Sequence, residues 1–194
     1  MQTEITKPGP LLDEGGRLAQ VGFDYNPKDY MVDTEAELYR FLDEQKIVYQ
    51  RIEHPPVYTC EQADQYRPNL PGVSTKNLFL NDKKRRFYLV MTACEKKLNL
   101  KMLGQALDAP KLHFGSEESL MALLHLTPGS VTVLGLVNDL HHQVELWIDE
   151  EIWKEDYFLC HPLVNTATLV LSKADLICFF GLTGHTVHLV SAVE

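Results

Sequence analysis

A chain of 194 residues, 45% hydrophobic and 23% charged, has the size and composition to bury one sizeable core, which excludes an intrinsically disordered protein. Its net charge of −9 excludes a protein that coats long nucleic acids, because neutralised phosphates supply most of that affinity. No run approaches the roughly 20 apolar residues of a membrane span, and the start MQTEITKPGP lacks the basic and apolar stretches of a secretory leader, so a cytoplasmic protein with no membrane attachment is predicted.

Residues 1–30 are rich in glycine and proline without periodicity and read as an irregular arm; residues 31–194 read as one domain. Thr34 with Glu37 forms a capping box, and Leu38, Phe41 and Leu42 fall at helical spacing, which predicts a helix through Lys46. A strand through Ile47-Val48-Tyr49 and Ile52 ends at His54-Pro55-Pro56, since prolines remove ladder donors. A short helix over residues 61–66 is stopped by Pro68 and Pro71-Gly72. Residues 76–80 and 87–91 alternate as strands around a polar turn and predict a hairpin.

Helices follow over residues 100–108 and 116–124, the second capped by Ser116 with Glu117 and Glu118 in its first turn. Thr127-Pro128-Gly129-Ser130 is a turn feeding the apolar run Val131 to Val137, and Asn138-Asp139 punctuates it. Strands are expected over residues 144–148, 157–160, 168–171 and 186–193, with a Ser172-capped helix through Phe180. Strands cluster without regular strand–helix alternation. The fold class expected is therefore α+β, a central mixed β-sheet with helices packed around it.

The four cysteines are widely spaced, with no CxxC pair, and are read as reduced thiols in a protein without metal, cofactor or disulfide, active in chelator and reductant alike. No GxSxG, HExxH or phosphate-cradling glycine motif occurs. His141 and His142 are adjacent and would point to opposite faces of a strand, so the histidines read as structural or surface residues. Polar residues at strand ends remain: Lys76 opening a hairpin strand, Gly129-Ser130 at a turn, and His161 with Asn165-Thr166. Such positions converge on ligands, although a solvated lysine, a turn glycine and a capping histidine fit the same pattern. Basic clusters at residues 83–86 and at Lys96, Lys97 and Lys101 offer local positive charge on an acidic body.

The segments Thr75-Lys76-Asn77-Leu78-Phe79-Leu80, Thr127-Pro128-Gly129-Ser130-Val131-Thr132, Asn138-Asp139 and His161-Pro162-Leu163-Val164-Asn165-Thr166-Ala167-Thr168-Leu169 resemble the YbaK and prolyl-tRNA-synthetase-associated editing family. More narrowly, they resemble its freestanding alanyl-tRNA(Pro) deacylase branch. The resemblance spans roughly residues 33–192 and implies hydrolysis of the ester joining a wrong amino acid to the tRNA terminal adenosine. It implies Lys76 and Gly129 as catalytic residues, and Ser130, Val131, Asn138, Asp139, His161, Asn165 and Thr166 as substrate contacts. The implied partners are the acceptor end of a mischarged tRNA and prolyl-tRNA synthetase. Where the family's GxxxP loop has proline, this chain has Val133. That departure leaves open a cysteinyl or seryl ester, and a noncatalytic sensing module remains a reading of another class.

Overall fold

The computed structural model of the chain describes residues 32–66 and 70–191. The arm expected over residues 1–30 lies outside them. Helix α1 (Glu35–Glu44) begins at the predicted capping box: Thr34 Oγ1 accepts from the Glu37 amide, and the Glu37 carboxylate accepts from the Thr34 amide. Its buried face is Leu38, Phe41 and Leu42. Strand β1 (Tyr49–Glu53) follows, and then α2 (Cys60–Asp64), a five-residue helix that buries no side chain.

Strands β2 (Val73–Asn81) and β3 (Phe87–Ala93) form the predicted hairpin, paired from Thr75 with Ala93 to Asn81 with Phe87. Its turn is closed by Asp82, whose carboxylate accepts from the amides of Lys84 and Arg86 and from the Arg86 guanidinium. Next come α3 (Leu100–Ala106), the two-residue strand β4 (His113–Phe114) and α4 (Glu117–Leu124), capped by Ser116 as expected. The apolar run after Ser130 folds into a 3₁₀ helix, Val133–Asn138, with Val133 to Val137 all buried. Strand β5 (Val144–Asp149), a 3₁₀ turn (Ile152–Lys154), β6 (Tyr157–Cys160) and β7 (Ala167–Ser172) precede α5 (Lys173–Leu182) and β8 (Val187–Val190). The last strand is shorter than predicted; residues 192 and 193 lie outside the described residues.

The sheet order is β1-β7-β6-β2-β3-β5-β8, with β4 added to β2. Its pairings are of both kinds: β6 with β2, β3 with β5 and β5 with β8 are parallel, the others antiparallel. The mixed sheet is thus the predicted one. Alternation along β2 and β3 divides the core, as the pleat requires. Phe79, Leu89 and Met91 join the large cluster with α1, α4 and α5, while Leu80, Tyr88 and Val90 pack with Leu103 and Leu107 around α3.

Strand β2 is also where the sheet opens. One of its edges pairs with β3 along most of its length; the other meets β6 only at Val73 and Ser74, and β4 only at Leu80 and Asn81. Between these contacts that edge of β2 has no strand partner, and Asn77 Nδ2 donates to the Val131 carbonyl at 3.4 Å. Residues 74–77, in this interval, line a cavity.

Candidate active site

The cavity has a volume of about 200 Å³. Its floor is Ser74 to Asn77 of β2, and its far side is Leu159, Cys160 and His161 at the end of β6, with Thr168 of β7. Gly129 and Val131 border it from the turn. The outer wall is the segment from Val57 to Cys60 with Ala63, running into and along α2.

Lys76 is half-buried in the floor. Its ammonium donates to the carbonyls of Cys94, at 2.9 Å, and of Lys96. Burial pushes its pKa below the usual lysine value, against the opposing pull of Glu95 and Glu61. An ammonium has three donors. With two engaged by carbonyls, one N–H remains for a substrate oxygen. The seat is itself braced, because the Lys96 ammonium pairs with buried Asp149 at 2.9 Å and with Glu151 at 2.8 Å, and Thr92 donates to Asp149.

His161 Nδ1 lies 3.4 Å from the Ala167 carbonyl. A carbonyl only accepts, so Nδ1 holds the proton of the neutral ring and Nε2 keeps its lone pair. Burial pushes the His161 pKa below 6.5, and the neighbouring His54 adds to that; the Ala167 bond opposes both. The ring is thus neutral at pH 7. Cys160, also in the wall, is fully buried and its thiol is pushed up to about 12, so it is no thiolate nucleophile. Asn77 Oδ1 is the one buried side-chain oxygen or nitrogen without a hydrogen-bond partner among the described residues.

Gly129 has φ +89°, and a Cβ built there would meet nothing within 4 Å. The requirement for glycine is therefore conformational rather than steric. Gly129→Ala is expected to cost about 1–3 kcal/mol of backbone strain and to displace the turn. With the turn displaced by about 1 Å, kcat/KM of the reaction proposed below should fall by ~10²-fold. Unchanged steady-state kinetics would reduce Gly129 to a turn residue.

Of the residues singled out from sequence, Lys76, Gly129, Val131 and His161 meet at the cavity. The others do not line it. Ser130 closes the turn through its amide to the Thr127 carbonyl. Asn138 ties Val32 to Leu124, bonding Val32 in both directions. Asp139 accepts from the amides of Gln143 and Val144 and from His185. Asn165 and Thr166 lend their carbonyls to the amides of Val57 and His54 and so anchor the outer wall. Val133 heads the 3₁₀ helix with its side chain in the core, away from the cavity. It occupies a first-turn position that proline also fills without loss, because the N–H there has no intrahelical partner.

Two charge and thiol expectations need correction. Lys96 is bound in ion pairs with Asp149 and Glu151, so it adds no net positive charge to its cluster. Cys60 and Cys94, read as reduced thiols, form a disulfide with Cα atoms 5.8 Å apart. Their separation of 34 residues hid the contact, which exists because the hairpin returns the chain to the start of α2. The sequence reading also missed most of the outer wall. A signal was present in Thr59-Glu61-Gln62, a cap in which Thr59 Oγ1 accepts from the Gln62 amide while Gln62 Oε1 accepts from the Tyr58 amide.

The family model described as aminoacyl-tRNA editing domain matches residues 54–179. A prolyl-tRNA synthetase associated domain-containing protein 1 from Danio rerio is 40% identical over 157 residues, covering 80% of this chain and 85% of that protein. The prolyl-tRNA editing protein ProX of Acetoanaerobium sticklandii is 39% identical over 146 residues, covering 75% of this chain and 89% of ProX. A solved structure described as a candidate trans-editing enzyme for prolyl tRNA synthetase superposes with a TM-score of 0.60 at 18% identity, over 79% of this chain and 94% of that one. That last likeness is one of fold. No helix among the described residues is long and apolar enough to cross a membrane.

Proposed function

The chain belongs to the aminoacyl-tRNA editing domain family, and on that premise we propose that it is a trans-acting deacylase of mischarged tRNA, with alanyl-tRNA(Pro) as its substrate. The observation that carries this reading is the Lys76 ammonium, fixed by two carbonyls in the wall of a small cavity. A synthetase pocket built for proline discriminates against a smaller apolar residue by only about 1–3 kcal/mol, so a second, hydrolytic sieve is required. A cavity below the roughly 300–1,000 Å³ of drug-sized sites suits the small aminoacyl group and resists the larger cognate one.

In the proposed reaction water attacks the acyl carbonyl carbon. The bond to the ribose oxygen breaks, the ribose regains its hydroxyl with one proton of the water, and the amino acid leaves as its carboxylate while the other proton passes to solvent. The remaining N–H of Lys76 stabilises negative charge on the acyl oxygen or the terminal phosphate. The Nε2 lone pair of His161 accepts from the attacking water or a ribose hydroxyl. Asn77 Oδ1, unpaired in the wall, accepts from the substrate's α-ammonium. The same atom favours one competing substrate, a seryl ester, whose hydroxyl would satisfy it.

The test is deacylation of a panel of alanyl-, seryl-, cysteinyl- and prolyl-tRNA(Pro) by the purified protein. Fastest loss of alanine with prolyl-tRNA(Pro) spared is expected. A faster seryl ester would transfer the substrate assignment. Hydrolysis of none of them above the spontaneous rate would leave a binding module and overturn the proposal.

A further inference from the structure

The outer wall of the cavity is set shallowly on the fold. Helix α2 buries no side chain, and five residues are too few to be helical alone. Its lead-in is anchored at Val57, which is buried and whose amide donates to the Asn165 carbonyl. Beyond Val57, its ties include the local cap at Thr59, the pull of Glu61 on the Lys76 ammonium, the stacking of Tyr66 on His54 with ring centroids 5.6 Å apart, and one covalent bond, from Cys60 at the first position of α2 to Cys94 just past β3. Cys94 belongs to the seat of the ammonium: its carbonyl accepts from Lys76 and its amide donates to the Ser74 carbonyl. The disulfide thus joins the outer wall to the floor, and both half-cystines line the cavity and remain partly exposed.

We propose that the Cys60–Cys94 disulfide is a redox latch on the editing cavity: oxidised, it holds α2 in place as the wall that receives the aminoacyl group; reduced, it releases α2. The chemistry is thiol–disulfide exchange with a dithiol, small or protein-borne. One thiolate of the reductant attacks a sulfur of the pair, its second thiol resolves the mixed disulfide, and two electrons and two protons pass to Cys60 and Cys94 while the reductant leaves as its own disulfide. Glutathione disulfide or a protein disulfide reverses the step. The other cysteines, Cys160 and Cys178, are free and take no part.

The effect on turnover rests on the deacylase reading; the movement of the wall does not. The experiment compares the full chain equilibrated with glutathione disulfide against the same chain in dithiothreitol. Alkylation in denaturant should modify two cysteines in the first and four in the second. Amide exchange over residues 57–66 should accelerate about tenfold on reduction. KM for an alanyl-minihelix should rise about tenfold with kcat little altered, as when the competent wall is populated a tenth of the time. Cys60→Ser should behave as the reduced protein in both buffers. Four modified cysteines after oxidation, equal exchange in the two states, or a KM indifferent to reductant in a chain that does turn over would each overturn the latch. If no ester is hydrolysed, the deacylase reading falls, and alkylation with exchange alone decides the latch.

Discussion

Lys76→Ala is expected to lower deacylation by about 10²–10³-fold, the scale on which a preorganised electrostatic donor contributes. Loss of the fold should not accompany it. Burial holds the folded-state pKa of Lys76 below its ordinary value, so the contribution of this group to stability is present above about pH 10.4, its unfolded value, and is lost as pH falls through the folded value. At neutral pH the ammonium is therefore kept at a cost in stability. The alanine variant should melt no lower than the parent while losing turnover, the exchange of stability for activity common at working sites. Lys76→Arg should not rescue, since a planar fork cannot replace a compact ammonium seated between two carbonyls. Ordinary turnover by the alanine variant in a single-turnover assay would remove the mechanism.

The opposite signature is expected at Asp139. Its side chain is 2% exposed; Oδ1 accepts from the Gln143 amide at 2.9 Å, and Oδ2 from the Val144 amide at 2.7 Å and from His185 at 3.2 Å. Burial pushes the carboxyl up, but the His185 bond and the two amides outweigh it, so the folded-state pKa lies below the usual carboxylate value. The resulting stability is present above about pH 3.9 and lost as pH falls through the folded value. Asp139→Ala strands two amides and the imidazole, at a cost of about 3–5 kcal/mol. For a domain of this size that is a fall in Tm of roughly 6–20 °C. KM should not move in the folded protein, because Asp139 is not in the cavity wall. A changed KM at an unchanged Tm would return Asp139 to the substrate.

Asp139 also marks where the sequence could and could not be read. Capping and hairpin signals are local, so Thr34, Ser116 and Ser172 placed their helices within a residue or two, and the polar turn placed the hairpin, whose first strand starts at Val73 rather than Lys76. Lys76, Gly129 and His161 were legible as polar or flexible residues at strand ends, and the family resemblance separated them from solvated ones. Asn138 and Asp139 lie in equally distinctive segments, yet they hold Val32, Leu124 and His185 in place. A polar residue that must be retained for the scaffold and one retained for the chemistry look alike without distances. The outer wall had no periodicity to announce it, and the pairing of Cys60 with Cys94 exists only once the hairpin has formed. The Val133 departure sits at a helix start packed into the core.

The position of β1 in the sheet sets the order in which the chain can be completed during synthesis. Strand β1 has a single neighbour, β7, and Tyr49 meets Leu171 across that ladder. At about 5–20 residues per second a ribosome needs roughly 6–24 s to travel from one to the other. The β2–β3 hairpin and β5 can assemble in that interval, and β6 can add to β2. Both edges of β1 wait, unpaired, until β7 has emerged, and Phe41 of α1 waits for Phe179 of α5. A nascent chain stalled before residue 167 should therefore present β1 to chaperones, and the chain released from the ribosome should not.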